Sequence, residues 1–142
     1  MTFNMPHFTF LDHTADMGIT VTAPTLGGLF ENAAQSLMQI MIKKRPAAKT
    51  SILKLSVSGE DLSDLMVRWL GEILYLLQGE SKVVMGIDID SITETRLEAT
   101  LLVAPFNPKQ HEVVTEIKAV TYHQIEVDRR GYGWEATVIF DL

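Results

Sequence analysis

The amino-acid sequence predicts an α+β fold, in which two helices pack on a mixed or antiparallel system of β-sheets. Two kinds of periodicity carry this prediction. Apolar residues recur every three or four positions in two stretches, and they alternate with polar residues in several others. The length of 142 residues suits a single hydrophobic core, and the apolar fraction of 46% is that of an ordinary globular protein. We therefore interpret residues 1–142 as one domain.

Two helices are predicted in the first half of the chain. Thr25 is a suitable N-cap for the first helix, because its hydroxyl can accept a hydrogen bond from the first turn. The apolar face of this helix comprises Leu26, Leu29, Phe30, Ala33, Ala34, Leu37, Met38 and Met41. The second helix has an apolar stripe over residues 62–77, which Leu70 and Leu74 widen beyond one face. We therefore expect the second helix to be deeply buried.

Alternating apolar and polar residues predict the strands. The runs cover residues 19–23, 53–58, 83–89, 97–103, 116–127 and 134–140. The last two runs flank a glycine-containing segment and are interpreted as a hairpin. Within the run 116–127, alternation places Lys118 on a polar face and His123 on the other side. We interpret His123 as a hydrogen-bonded sheet residue, and the alternative is a binding role.

Composition argues against several classes of function. The formal net charge of −6 disfavours sequence-independent phosphate binding, so we expect no direct binding to nucleic acid. We interpret the basic cluster Lys43-Lys44-Arg45-Pro46 as the end of the first helix, in preference to an RNA contact. Because the chain lacks cysteine, disulfides and thiolate metal ligands are excluded. No apolar run is long enough to cross a bilayer, and we expect a cytoplasmic protein.

The motifs of the common nucleotide-using enzymes are also missing. The sequence has no glycine-rich phosphate loop, and no serine stands in a nucleophile-elbow sequence. It therefore gives no support to a self-contained NTPase, dehydrogenase or hydrolase. We do not expect an enzyme.

Ionisable residues gather at both ends of the chain. Near the start, a segment with turn character carries three ionisable residues within five consecutive positions: Asp12, His13 and Asp16. Such residues often bond the amides of their own turn, but they also suit a hard metal ion or acid–base chemistry. At the other end, strand parity places Asp141 on the face opposite Phe140, beside the carboxylate that ends the chain. This carboxylate, one aspartate and a second aspartate from elsewhere would suit Ca²⁺ or Mg²⁺.

Several motifs carry a resemblance to a known family along nearly the whole chain. They are His13-Thr14-Ala15-Asp16-Met17-Gly18, Ile117-Lys118-Ala119-Val120-Thr121-Tyr122-His123 and Val138-Ile139-Phe140-Asp141-Leu142. In this order they resemble the opening and closing motifs of the archease family, and residues 29–34 and 60–70 are similar to its two helices. Two places depart from the family pattern. Residues 103–107 read Val-Ala-Pro-Phe-Asn where relatives tend to have Gly-Glu-Pro, an aromatic residue and Asp, and Gly71 replaces a common Asn.

The resemblance implies an accessory protein of tRNA splicing and RNA repair, and not a catalyst. Such a protein activates an RtcB-type RNA ligase by promoting guanylylation of the ligase and multiple turnover. It would meet tRNA and GTP only through the ligase. Two alternatives remain open: a general chaperone-like modulator of nucleic-acid-modifying enzymes, and a small metal-dependent enzyme with His13 as general base.

The resemblance also implies a metal site. The family's ligands correspond to Asp16, Asp141 and the terminal carboxylate of Leu142, with Ca²⁺ as the usual occupant and Mg²⁺ or Mn²⁺ as alternatives. Further candidates, for supporting the ligands or for contacting the partner, are Asp12, His13, Lys118 and His123.

Overall fold

The computed structural model describes residues 8–11, 16–44 and 49–142. In chain order, the elements are β1 (Phe8–Leu11), β2 (Asp16–Ala23), α1 (Leu26–Met41), β3 (Ile42–Lys44), β4 (Ser51–Ser58), α2 (Leu62–Glu80), β5 (Lys82–Ile92), β6 (Arg96–Pro105), β7 (His111–Val113), β8 (Ala119–Val120), β9 (Glu126–Arg130) and β10 (Gly133–Asp141). No helix in this part of the chain combines the length and apolar character needed to span a membrane.

Two larger sheets enclose the helices. In the β10 sheet the order is β1-β2-β10, and β10 pairs on its other side with β8 and β9. In the β6 sheet the order is β4-β6-β5, while β3 and β7 form a separate pair. Each helix contacts strands of both larger sheets, so the helix pair lies between them. The predicted α+β fold is confirmed, and every pairing among the described strands is antiparallel.

The first helix is more completely enclosed than the second. No residue of α1 is exposed, and even the polar Gln35 and Ser36 are buried. In α2 the predicted apolar stripe is buried, but Arg68, Glu72 and Tyr75 are exposed on the opposite face. The expected deep burial of the second helix is therefore confirmed for its apolar stripe, including Leu70 and Leu74, while its opposite face is exposed. The complete enclosure of α1 is not evident from the sequence, because its small and polar residues are covered by elements far away in the chain.

One turn of α1 is hydrogen-bonded to three other elements. The carbonyl of Phe30 accepts a bond of 2.8 Å from the buried indole N–H of Trp69 in α2. The next side chain, Glu31, accepts the backbone N–H of Ile89 in β5 at 2.9 Å. Asn32 then donates to the carbonyl of Thr22 in β2 at 3.0 Å. Residues 30–32 thus connect both sheets and the second helix.

The sequence predicts both ends of α1, and the structure adds a strand directly after the second end. Thr25 caps the helix as predicted, since its hydroxyl accepts the N–H of Gly28 at 3.0 Å. The helix ends at Met41, but Lys43 and Lys44 belong to β3 and pair with β7. They thus follow the helix as predicted, but they lie in a strand and not in the terminal turn, because residues 42–44 pair with the distant strand β7. Residues 45–46 of that cluster lie outside the described part of the chain.

The run 116–127 is not one strand. Only β8 (Ala119–Val120) and the start of β9 at Glu126 are extended in a sheet, and a turn separates them. Gln124 in this turn has a φ of 53°, in the left-handed region that interrupts a strand. His123 is exposed in the same turn, so its interpretation as a sheet residue is wrong. The predicted hairpin is confirmed for β9 and β10, which pair across Gly131 and Tyr132.

We predict that replacing Trp69 by Phe lowers the free energy of unfolding by about 2 kcal/mol, because it removes the bond to Phe30 and leaves a cavity. Urea denaturation followed by circular dichroism measures this change. Tyr75→Phe on the exposed face of α2 is the control, with an expected effect below about 0.5 kcal/mol. Equal stability of the two variants would contradict the prediction.

Candidate carboxylate site at the end of β10

The two aspartates singled out by the sequence meet across a strand pair. Asp16 begins β2, Asp141 ends β10, and the two residues are direct partners in the antiparallel register. Side chains of such partners stand on the same face of a sheet, with Cβ atoms about 4.5–5.5 Å apart. The fold therefore brings together carboxylates from opposite ends of the chain.

Both aspartates lie on the outward face of the β10 sheet. The inward face carries the core residues Ile19 and Val138, which are partners in the same register and fully buried. Side chains alternate between the two faces of a strand, and Asp16 and Asp141 lie three positions from Ile19 and Val138, respectively, so they are on the outward face. This agrees with the prediction that Asp141 faces away from Phe140. Asp16 is half-buried and Asp141 is exposed. The pair is accessible from outside without any opening of the core.

The end of β10 is held from both sides. On the side opposite β2, Ala119 of β8 is the register partner of Asp141. The N–H of Lys118 donates to the carbonyl of Asp141 at 2.8 Å, while the Lys118 side chain is exposed. Asp141 therefore lies between two paired strands, β2 and β8, and the end of β10 is not frayed.

The second helix holds the segment that covers this end. The side-chain amide of Gln78 in α2 donates to the carbonyl of Ile117, just before β8. Beyond β8, the hydroxyl of Tyr122 donates to the carboxylate of Asp64 in α2 at 2.7 Å. Residues 117–122 are thus hydrogen-bonded to both halves of one helix. Sequence reasoning missed this arrangement, although the Asp61 N-cap, which accepts the N–H of Asp64 at 2.8 Å, is a recognisable helix start.

The carboxylate of Asp64 is the most heavily hydrogen-bonded acidic group in this region. Besides Tyr122, it accepts the N–H of Glu60 at 2.8 Å and the guanidinium Nε of Arg68 at 2.9 Å. These bonds, that of Tyr122 above all, hold the pKa of Asp64 below its ordinary value. The same bond to Asp64 raises the pKa of Tyr122. The contact is therefore strongest near neutral pH, where Asp64 is ionised and Tyr122 is protonated.

The remaining predicted residues are placed differently. Asp12 and His13 lie outside the described residues. Leu142 directly follows β10 and is 41% exposed. His123 lies in the turn after β8, where its N–H donates to the hydroxyl of Thr121 at 3.2 Å. The structure thus brings Asp16, Asp141 and the backbone of Lys118 together.

The donor chemistry of the aspartate pair fits a hard divalent cation. Like charges directly opposite each other destabilise a strand pair, and no ion pair of the described residues includes Asp16 or Asp141. A cation bound by carboxylate oxygens would offset this repulsion, and such oxygens are the ligands of Ca²⁺ and Mg²⁺. Within residues 8–11, 16–44 and 49–142, no group of three His, Cys, Asp or Glu side chains forms a metal site. A third ligand at the aspartate pair would have to come from another kind of group or from another part of the chain.

We predict that Tyr122→Phe raises the pKa of Asp64 towards its ordinary value of 3.8. A depressed pKa in the folded state stabilises the protein above the unfolded-state pKa, and this contribution is lost as the pH falls through the folded-state value. The variant should therefore lose less stability on acidification below about pH 4. An NMR titration of the Asp64 carboxyl carbon measures the shift. Tyr132→Phe, which removes a hydroxyl bonded to Glu135, should leave the titration of Asp64 unchanged.

Comparison with known proteins agrees with the family resemblance. The archease protein family matches residues 8–142 of this chain. The archease of Methanosarcina acetivorans is 32% identical over 139 residues and covers 95% of each chain. That of Saccharolobus solfataricus is 34% identical over 142 residues, which span 97% of this chain and 100% of the relative.

Solved structures agree with the described fold. The solution structure of protein 1598 of Methanobacterium thermoautotrophicum matches with a TM-score of 0.73 and 27% identity, over 95% of this chain and 98% of that one. The crystal structure of a Thermotoga maritima archease, described as a possible chaperone, matches with a TM-score of 0.63 over 93% of this chain and 94% of that one. At 22% identity, this second likeness concerns the fold alone. The family match over residues 8–142 and the archeases of Methanosarcina acetivorans and Saccharolobus solfataricus establish that the chain belongs to the archease family.

Proposed function

We propose that this protein is a non-catalytic activator of an RtcB-type RNA ligase in tRNA splicing and RNA repair. In this role it promotes guanylylation of the ligase and supports multiple turnover. Membership of the archease family supports the proposal, and the observation that carries it is the pairing of half-buried Asp16 with exposed Asp141 at the end of β10. Such a pair offers charge and oxygen ligands to a partner without requiring a substrate pocket.

We propose further that the pair belongs to a metal site. Asp16, Asp141 and the α-carboxylate of Leu142 would hold a divalent cation, for which we favour Ca²⁺ over Mg²⁺ or Mn²⁺. All three groups are hard oxygen donors, and two of them are register partners. The cation would supply positive charge that cancels the repulsion between the carboxylates. The residues of the chain would then present a rigid, oxygen-rich surface to the ligase.

The surroundings of the pair suit contact with a protein. The side chains of Lys118 and His123 are exposed on the segment beside Asp141. Backbone hydrogen bonds hold this segment to β10, from Lys118 to Asp141 and from Thr121 to Ile139. A partner would therefore meet the ammonium group of Lys118 and the imidazole of His123 on a backbone that is already ordered, which reduces the conformational entropy lost on binding. The net charge of −6 is consistent with a protein partner that itself binds metal and nucleotide, and not with naked RNA.

The first test replaces each aspartate by its isosteric amide. Asp16→Asn and Asp141→Asn should each lower the rate of ligase guanylylation by roughly 10- to 100-fold when the protein is substoichiometric, because each change removes a charged ligand. Transfer of GMP to the ligase is measured with radiolabelled GTP. Asp88→Asn, at an exposed position on the other large sheet, is the matched control and should activate normally. Full activation by both site variants would refute the role of the pair.

The second test concerns Leu142. A peptide tag fused after Leu142 replaces its α-carboxylate by an amide, so activation should fall, whereas a tag before Met1 should leave activation unchanged. The same guanylylation assay, with calorimetric titration of Ca²⁺ into each tagged protein, separates a lost ligand from a lost contact. Equal Ca²⁺ affinity of both tagged proteins would contradict the proposed ligand set.

A general chaperone-like role is the second candidate. It is favoured by the description of the Thermotoga maritima relative as a possible chaperone. Affinity capture with the wild-type protein and with Asp141→Asn distinguishes the two functions. Capture of a single ligase that depends on Asp141 supports the activator, and capture of many unrelated proteins supports the chaperone.

A further inference from the structure

One side chain of the second helix is hydrogen-bonded to the backbone beside the end of β10. The side-chain amide of Gln78 donates to the carbonyl of Ile117. Only the NH₂ group of a glutamine amide can donate to a carbonyl, so this partner fixes the orientation of the amide. Gln78 is exposed, whereas Ile117 is fully buried. The bond therefore joins the surface of α2 to a residue of the core.

The accepting carbonyl belongs to a peptide group that is hydrogen-bonded on both sides. The carbonyl of Ile117 and the N–H of Lys118 are parts of one trans peptide, which is planar and directs the two groups in opposite directions. The N–H of Lys118 donates to the carbonyl of Asp141 at 2.8 Å. One rigid peptide thus connects Gln78 in α2 with the last residue of β10. Rotation of this peptide would break both bonds together.

A second peptide continues this connection to Leu142. The carbonyl of Asp141 shares a planar peptide with the N–H of Leu142. Its hydrogen bond to Lys118 therefore limits rotation of the peptide that lies between Asp141 and Leu142. These are the two residues of the proposed metal site that the end of the chain contributes. Gln78 is thus connected to both of them through two successive peptide groups.

Other contacts do not by themselves fix the orientation of the Ile117–Lys118 peptide. The adjoining strand β8 forms only two register pairs with β10. The side chain of Ile117 is anchored in the core, but rotation about the bonds that flank a peptide can turn its plane while neighbouring side chains stay in place. The pairing of β2 with β10 also ends here, at Asp16 and Asp141, and terminal residues are ordered only where they are held. The bond from Gln78 supplies the missing restraint.

We propose that Gln78 is a positioning residue for the carboxylates at the end of β10. Through the Ile117–Lys118 peptide, its amide fixes the direction in which Asp141 and Leu142 present their oxygens. This inference rests on the proposed metal site and gives α2 a part in cation binding. Groups that orient metal ligands by hydrogen bonds change metal affinity by roughly 10- to 100-fold when they are removed.

The test replaces Gln78 by Met, which has a similar length and helix propensity but cannot donate a hydrogen bond. Calorimetric titration should give a dissociation constant for Ca²⁺ that is roughly tenfold higher than in the wild-type protein. Hydrogen exchange of the Lys118 amide, followed by NMR, should be about tenfold faster, because its bond to Asp141 opens more often. Amides in the middle of β10 should exchange at the wild-type rate, since the change is local.

Two further variants serve as controls. Gln110→Met makes the same exchange in the turn before β7, where the backbone N–H of Gln110 donates to the carbonyl of Asn107. It should leave both the Ca²⁺ affinity and the exchange of the Lys118 amide unchanged. Gln78→Lys keeps an N–H donor of similar reach and should restore slow exchange of the Lys118 amide.

Three results would overturn the proposal. The first is a wild-type exchange rate of the Lys118 amide in Gln78→Met, and the second is a wild-type Ca²⁺ affinity in this variant. The third is exchange that becomes faster throughout β10, because Gln78 would then contribute only to overall stability. The proposed function is judged separately. A wild-type protein that binds no Ca²⁺ or does not activate the ligase would refute that function, whereas exchange of the Lys118 amide would still decide whether Gln78 fixes this peptide.

Discussion

The structure depends on a single turn of its enclosed helix. At residues 30–32, α1 accepts the indole of Trp69, holds β5 through Glu31 and holds β2 through Asn32. Because these three bonds arise within one turn, the helix fixes the position of each sheet relative to the other. A shift of either sheet or of α2 would break one of these hydrogen bonds. A buried polar group left without a partner destabilises the fold by more than an ordinary hydrogen bond stabilises it. The β10 sheet, with its aspartate pair, therefore has one place relative to α2.

The aspartate pair is a consequence of register. A slip of one residue between β2 and β10 would move every side chain to the opposite face and separate Asp16 from Asp141. Buried partners such as Ile19 and Val138 prevent that slip, because it would expose them. The site is thus positioned by apolar residues on the reverse side of the sheet. On the side of β10 opposite β2, α2 holds the adjoining segment 117–122 through Gln78 and Asp64.

Local patterns could be predicted and long-range pairings could not. The cap at Thr25 and the outward direction of Asp141 follow from short-range geometry, and both are confirmed. The family resemblance selected Asp16 and Asp141, but only the register shows that they are partners. The sequence gives no sign of the three-residue pairing of Lys43 with Glu112 or of the left-handed Gln124 that interrupts the run 116–127. Such features are decided by the tertiary structure and not by propensity.

The central position of β10 has a consequence for synthesis. This strand is translated after every other strand of its sheet, yet β2, β8 and β9 all pair with it. While β10 is still inside the ribosome, β2 lacks its main partner and one side of α1 lacks its cover. Domains whose contacts join distant parts of the chain fold slowly, and their apolar surfaces stay exposed in the meantime. The nascent chain therefore passes through a stage in which one side of α1 is open to solvent, and the emergence of β10 both closes the core and creates the aspartate pair.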